Sequence, residues 1–416
     1  MLRNPFTPAE IASSPDDFFG REKELTEAKR ALSKGSVSIQ GQIGIGKSSL
    51  LARTRLEMEG FGTEHTATSI FAVGDKDITN ADQLARTLLE DMVEVDEKQK
   101  KIAFKLGSLV EIGSNEIYRN FVEGRNVAAL LRLLEQKNMK QLLAGRELLL
   151  ITIDEADKCP AVIARLIRQI TTYTQQRGIK GVHFLMAGVS PFYQQMLAED
   201  AGISRFVYRT IMLAPMDDPD ATELIETKLG LVAADARKQG IPLQIDPGVI
   251  PRIVSLSGGH PHLLQLLGSY LIENENENPD GMIDAQDLVT SLRRICYEDR
   301  AQIYDSTLHK LDIDGKLEAF RKLMLIAPSK FPTRIPQPDA MKIVDSNTLH
   351  WFFENNLFSV ETDGCYRLLD EFLRIRLMMD GAVEEEQGSR IEQRLLLGSW
   401  TLPDVEETDE EELERY

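Results

Sequence analysis

The run Gly41-Gln42-Ile43-Gly44-Ile45-Gly46-Lys47-Ser48 spaces glycines, a lysine and a hydroxyl as G-x-x-x-x-G-K-[ST], a pattern whose chemistry is phosphate binding. Glycines let successive backbone N–H groups curl around a β-phosphate. Lys47 then reaches the β/γ oxygens, Ser48 offers its hydroxyl to Mg2+, and the following helix adds its positive end. The flanks suit that task. Ser36-Val37-Ser38-Ile39-Gln40 alternates as a strand would, and Ser49-Leu50-Leu51-Ala52-Arg53 begins a run of helix formers. The nucleotide-contacting set on this reading is Gly41, Gln42, Ile43, Gly44, Ile45, Gly46, Lys47, Ser48 and Ser49.

A second constellation completes the chemistry. Leu148-Leu149-Leu150-Ile151-Thr152-Ile153 is apolar over the length of a strand and ends in Asp154-Glu155. Such a strand belongs inside a parallel sheet covered on both faces. Asp154 at its carboxyl end would hold Mg2+ through water, and Glu155 would orient and deprotonate an attacking water.

The elements that must position these groups fit a large globular chain. At 416 residues the expectation is two or three domains of about 100 to 250 residues each. With 42% hydrophobic and 27% charged residues, the composition is that of a folded, water-soluble protein. No apolar run approaches the roughly 18 residues that span a bilayer, so no membrane partner is expected. Met1-Leu2-Arg3-Asn4-Pro5-Phe6 lacks a signal-peptide core, and the expected location is cytoplasmic. Cys159, Cys296 and Cys365 are odd in number and without C-x-x-C spacing, which argues against a disulfide framework or a zinc site; His260 and His262 lack further ligands nearby. Net charge is −18, and half of it lies in residues 383–416, where twelve acidic residues face three arginines. That tail reads as flexible and solvated, apart from the apolar island Leu395-Leu396-Leu397-Gly398-Ser399-Trp400.

Along the chain, residues 1–17 read as an irregular arm broken by Pro5, Pro8 and Pro15, followed by a helix to about residue 34. A β-rich run covers 66–73, and a long helical section covers 80–146, interrupted near Gly113-Ser114 and Gly124. Further strands at 182–187 and 207–213 alternate with helices. This implies right-handed crossovers and a three-layer α/β/α core over 18–215. Helices at 220–237, 247–256 and 261–272 predict a helical lid domain over 216–310, with a polar break at 274–279. Residues 311–382 read as a winged helix. Its expected parts are helices at 317–326, 338–343 and 346–355, a hairpin of 357–360 and 366–369 turning at Asp363-Gly364, and a closing helix at 370–378.

Together with Phe19-Gly20-Arg21-Glu22, these motifs resemble the AAA+ and STAND group of P-loop ATPases, and are most similar to prokaryotic origin-recognition-like and archaeal STAND-type ATPases. The likeness spans about residues 4–380. It implies that Phe19, Gly20 and Arg21 help to enclose the base. It further implies that Ser190, after the fourth strand, is the sensor 1 residue. Ser204-Arg205-Phe206 resembles the family's arginine-finger segment, which implies that Arg205 reaches a neighbouring subunit's γ-phosphate, with Arg209 as the alternative. His262 occupies the slot where many relatives carry a sensor 2 arginine, and Leu369 stands where some STAND switches carry histidine. Asp154-Glu155-Ala156-Asp157 also spells the DEAD of RNA helicases, but Ala187-Gly188-Val189-Ser190 is a poor match to the helicase Ser-Ala-Thr, and no second helicase domain is evident.

The function expected is binding of ATP and ADP with Mg2+, and slow hydrolysis that switches the chain between states. A homo-oligomer in the ATP state and an unidentified protein partner go with it. A DNA-binding initiator or transposition-type regulator is the rival, and a nucleotide-gated scaffold with negligible turnover is a third reading. Charge disfavours direct groove reading: residues 311–380 hold nine Lys/Arg against eleven Asp/Glu, and residues 346–355 contain no Lys or Arg. DNA threaded through an oligomer stays open.

Overall fold

The computed structural model describes residues 1–61, 66–96, 101–104, 111–112, 115–143, 145–328, 331–361 and 363–380. The acidic tail with its island at 395–400, and the break at Gly113-Ser114, lie outside the described residues. The chain divides into two compact units, residues 10–214 and residues 1–9 with 215–416.

In the first unit, five parallel strands form one sheet: β1 (Ser36–Gly41), β2 (Ala67–Val73), β3 (Leu148–Asp154), β4 (Val182–Val189) and β5 (Val207–Met212). Their spatial order is β2-β3-β4-β1-β5, so β4 is inserted between the strands that carry the two phosphate motifs. The apolar run in β3 follows from coverage on both faces. Leu149, Ile151 and Ile153 join a core with Leu84, Leu88, Ile163 and Ile167 of the helices Ala81–Met92 and Pro160–Gln176. Leu148 and Leu150 face the other way, toward α1 (Glu22–Leu32) and α2 (Lys47–Leu56), where Leu25, Leu32, Leu50 and Leu51 pack. Three layers result.

Residues 36–40 form the expected strand, and β1 has no solvent-facing side, because it lies between two partners and all six of its residues are buried. Its polar side chains are used internally, as where Ser36 Oγ accepts the Phe184 N–H at 2.9 Å. The section 80–146, expected to be helical with breaks near Gly113-Ser114 and Gly124, is corrected: the helices do part around Gly124, but strands interrupt them earlier. After Ala81–Met92 an antiparallel sheet of Val93–Asp96, Lys101–Phe104 and Glu111–Ile112 intervenes, and helices resume at Asn115–Val122. Val93 and Val95 alternate with Glu94 and Asp96, but strands of two to four residues are too short for a period of two to stand out beside the helical runs on either side.

In the second unit, helices Asp218–Gln239, Val249–Ser257, Pro261–Glu277, Ala285–Arg294 and Ala301–Ile313 precede a smaller mixed segment. The expected polar break at 274–279 is largely helix, since Asn274 and Glu275 are buried and bonded. Asn274 Nδ2 donates to Ser291 Oγ at 2.9 Å, and Glu275 Oε1 accepts the Gly281 N–H at 3.0 Å. The arm expected over 1–17 is split. Residues 1–9 belong to this unit, with Phe6 buried so closely on Gly268 that a Cβ there would lie 2.2 Å from the ring, while Pro15–Asp17 forms a 3-10 turn in the first unit. The mixed segment holds helices Leu317–Ile326, Gln337–Ile343, Ser346–Glu354 and Glu371–Met379. The hairpin strands Phe358–Val360 and Cys365–Leu368 gain a third, Arg334–Pro336, paired antiparallel to Cys365–Leu368. Three residues with a terminal proline gave that strand no sequence signal.

Glu371 is buried in this segment. Its Oε1 accepts the Thr333 N–H at 2.7 Å and its Oε2 the Thr333 hydroxyl at 2.6 Å, while Arg374 Nη1 donates to Thr333 Oγ1 at 2.8 Å. Burial outweighs these bonds and pushes the carboxyl up from 4.5 to about 7. A raised folded-state value means stability that is full below about 4.5 and is lost as pH rises through about 7. Relative to Glu371→Gln, the wild type is expected to lose on the order of 2–3 kcal/mol between pH 4.5 and 8. Urea unfolding of both proteins at the two pH values checks this; equal differences at both would refute it.

Candidate functional site

The carboxyl ends of the inner strands place the motif residues at one edge of the sheet. Gly41 pairs with Val189, the residue before Ser190, and Val73 pairs with Asp154. Parallel strands in register bring their ends together, so groups distant in sequence meet there.

The loop from Gly41 to Lys47 is shaped by its glycines. Gly44 and Gly46 have φ of 75° and 94°, a region that costs a side-chain-bearing residue about 1–2 kcal/mol. At Gly41 the constraint is space, because a Cβ would lie 2.9 Å from Ile45 Cγ2 and 3.1 Å from the Leu213 carbonyl oxygen. Ile45 is buried in the core and anchors the loop from below, while Ile43 is exposed. Gly46 precedes α2 with no side-chain cap, so the first N–H groups of that helix are not taken up by its cap residue. Ser48 stands in the first turn of α2, and Ser49 Oγ accepts the Ala12 N–H at 3.1 Å.

Lys47 is buried, and its Nζ donates to the Gln42 carbonyl at 2.6 Å. Burial lowers its pKa, and the carboxylates of Asp157, Glu155 and Asp154 oppose that shift. The lysine of one motif therefore lies in the field of the other.

Asp154 ends β3 and is buried; its Oδ1 accepts the Glu155 N–H at 2.9 Å. Glu155 adopts φ 51°, ψ 36°, a left-handed conformation costing a non-glycine residue about 1–3 kcal/mol. The Lys158 N–H on the Glu155 carbonyl at 3.0 Å and the Gly74 N–H on the Asp154 carbonyl at 2.8 Å hold the turn. Lys158 Nζ lies 3.6 Å from Glu155 Oε2 and 3.5 Å from Asp157 Oδ2.

Gly74 was not legible as a site residue. A Cβ there would stand 2.3 Å from the Glu155 carbonyl oxygen, so only glycine lets the end of β2 approach this turn. The signal was a glycine directly after a β-rich run. Gly74→Ala is expected to cost about 1–3 kcal/mol of stability by overpacking, and to displace Glu155. Urea denaturation beside the wild type measures it, and an unchanged midpoint would contradict the contact.

Arg21 is buried against the loop. Its Nη2 donates to the carbonyls of Ile45 at 3.3 Å and Ala214 at 2.5 Å, and its Nη1 to Glu24 Oε1 at 3.1 Å. The guanidinium thus braces the loop backbone. Gly20 has φ 63°, Phe18 is in the core, and Phe19 is half-buried. Ser190 directly follows β4 and is half-buried. Arg205 is exposed at the end of the turn Ala201–Arg205 and has no hydrogen bond or ion pair among the described residues, whereas Arg209 is paired with Glu27. His262 belongs to the other unit. Its Nδ1–H donates to the Pro8 carbonyl at 3.1 Å, and burial with Arg300 nearby lowers its pKa, so the ring is neutral at pH 7.

The oxygen donors Ser48 and Asp154 suit Mg2+, which takes a few protein oxygens and completes its octahedron with phosphate and water. Among the described residues no group of three or more His, Cys, Asp or Glu could hold a metal unaided. No described helix is long and apolar enough to cross a membrane.

No protein-family model matches the chain, and no curated protein matches it. Solved structures do. A Walker-type ATPase of Pyrococcus abyssi superposes with a TM-score of 0.56 at 16% identity, covering 89% of this chain and 98% of that one. The ORC2 protein of Aeropyrum pernix, in ADPNP–ADP complexes, gives 0.55 at 12% identity, covering 95% and 99%. Its ADP form gives 0.52 at 12% identity, covering 91% and 97%. The chain has the α/β P-loop NTPase fold, in the form that these archaeal Walker-type and ORC2 proteins carry.

Proposed function

We propose that this chain binds ATP at residues 41–49 and hydrolyses it with Mg2+, as a switch whose nucleotide state governs self-assembly or the binding of a protein partner. The observation that carries this is the convergence of Lys47 with Asp154 and Glu155 at one end of a parallel sheet. Gly41 to Ser49 cradle the phosphates, and Lys47 exchanges the Gln42 carbonyl for β/γ oxygens. Ser48 and Asp154 would hold Mg2+, which when bound neutralises charge on those oxygens. Glu155 takes the proton of the attacking water, and Ser190 contacts the γ-phosphate. Phe19 and Gly20 flank the base, while Arg21 keeps the loop in shape.

Arg205 is the arginine offered to a neighbouring copy. Its exposed, unpaired guanidinium supports that role over Arg209, which is held by Glu27. His262, in the slot where many relatives carry a sensor 2 arginine, offers no such fixed charge, because burial lowers its pKa. On this proposal residues 18–215 are the ATPase core, 216–310 the lid, 311–382 a winged helix and 383–416 an acidic tail. The helix Ser346–Glu354 does not favour DNA, since its exposed His350 lies 3.1 Å from Glu354 and no Lys or Arg stands on it.

Phosphate release from ATP with and without Mg2+, measured beside the solution mass in ATP and in ADP, tests the switch. ATP-dependent assembly without phosphate release would select the scaffold reading. Neither assembly nor release would refute both.

A further inference from the structure

The acidic turn contains one side chain to which hydrolysis assigns no task. Asp157 Oδ1 accepts the backbone N–H of Val189 at 2.8 Å, and Val189 is the last residue of β4, next to Ser190. The approach is made possible by Gly188, where a Cβ would lie 2.9 Å from Asp157 N and 3.0 Å from Asp157 Oδ1. The other carboxylate oxygen faces Lys158, whose ammonium also faces Glu155. Asp157 is also the strongest of the three carboxylate influences on Lys47. One side chain therefore touches the strand that leads into Ser190 and, through Lys158, the side chain of Glu155.

We propose that Asp157 is a positioning residue whose hydrogen bond to Val189 ties the end of β4, and Ser190 with it, to the Asp154-Glu155 turn, so that discrimination between ATP and ADP depends on this bond. The proposal rests on the nucleotide reading above. ATP and ADP differ by the γ-phosphate, so a hydroxyl placed for that group favours ATP only while its strand end is held. A carboxylate accepting a backbone N–H in a partly buried setting is one of the stronger hydrogen bonds available, and displacement by about 1 Å is enough to spoil a placed contact.

Binding of Mg2+–ADPNP and Mg2+–ADP, measured by calorimetry, tests the proposal in D157A, D157E, D157N, S190A and the D157A/S190A double variant. D157E keeps the charge but moves the acceptor; D157N keeps the acceptor but removes the charge. D157A and D157E are expected to lose about 10-fold of the preference for ADPNP over ADP, the scale of one hydrogen bond. D157N should stay within about 3-fold of wild type in that preference, with any change in affinity shared by both ligands. The double variant should be no worse than S190A alone, since the two act in series.

If D157A does not fold, the contrast between D157E and D157N decides. Loss of preference in D157N equal to that in D157E, an undisturbed D157E, additive losses in the double variant, or a wild type without preference would each overturn the role of Asp157. A wild type that binds neither ligand overturns the nucleotide reading itself.

Discussion

Lys47→Ala is expected to weaken ATP binding on the order of 100-fold or more, which corresponds to about 2.7 kcal/mol. The magnitude follows from what the ammonium does. It is buried beside the loop and holds the Gln42 carbonyl at 2.6 Å, a bond given up when phosphate oxygens arrive. Charge-assisted hydrogen bonds to a phosphate contribute about 1.5–3 kcal/mol each, and alanine offers none. Burial lowers the lysine pKa, yet Asp157, Glu155 and Asp154 favour the cation, and incoming phosphate adds negative charge in the same sense. Titration with a fluorescent ATP analogue gives the comparison. Affinity within about 3-fold of wild type would remove Lys47 from the site. Circular dichroism and the unfolding midpoint show whether loss of binding reflects the contact or the fold.

Glu155→Gln should leave ATP affinity nearly unchanged and lower turnover by about 10²- to 10⁴-fold, the usual contribution of a general base. The separation of the two effects is the diagnostic. Glutamine preserves the shape of the side chain and the left-handed backbone at φ 51°, which is held by main-chain bonds rather than by the carboxylate. It cannot accept the proton of water. Phosphate release is the measurement, with nucleotide binding taken on the same preparation. Undiminished hydrolysis would sink the assignment of Glu155. The carboxylate is exposed and lies near Lys158 at 3.6 Å, a weak surface pairing that costs little to break when water and nucleotide enter.

How much of this site could be read in the chain depends on the range of the interactions that make it. The loop was legible because its chemistry is that of consecutive backbone groups: glycines at 41, 44 and 46, a lysine and a serine act within one turn. The strand 148–153 was legible because burial on two faces requires apolar residues throughout. Asp157 and Gly74 were in plain view as letters but carried no weight, since each acts on a residue of another strand, Val189 and Glu155 respectively. Arg21 was expected at the base and is found on the carbonyls of Ile45 and Ala214, contacts that span 24 and 193 positions.

Composition, local period and motif spacing were thus enough for the glycine loop, the positions of the main strands along the chain and the two acidic residues of the turn, because each depends on neighbours a few residues away. Folding alone separated Arg205 from Arg209, divided the first seventeen residues between two units, and placed Asp157 against the end of β4. Those outcomes rest on which distant backbones and side chains come within hydrogen-bonding reach. A period of two or of 3.6 residues describes the face a side chain takes, not the partner it meets.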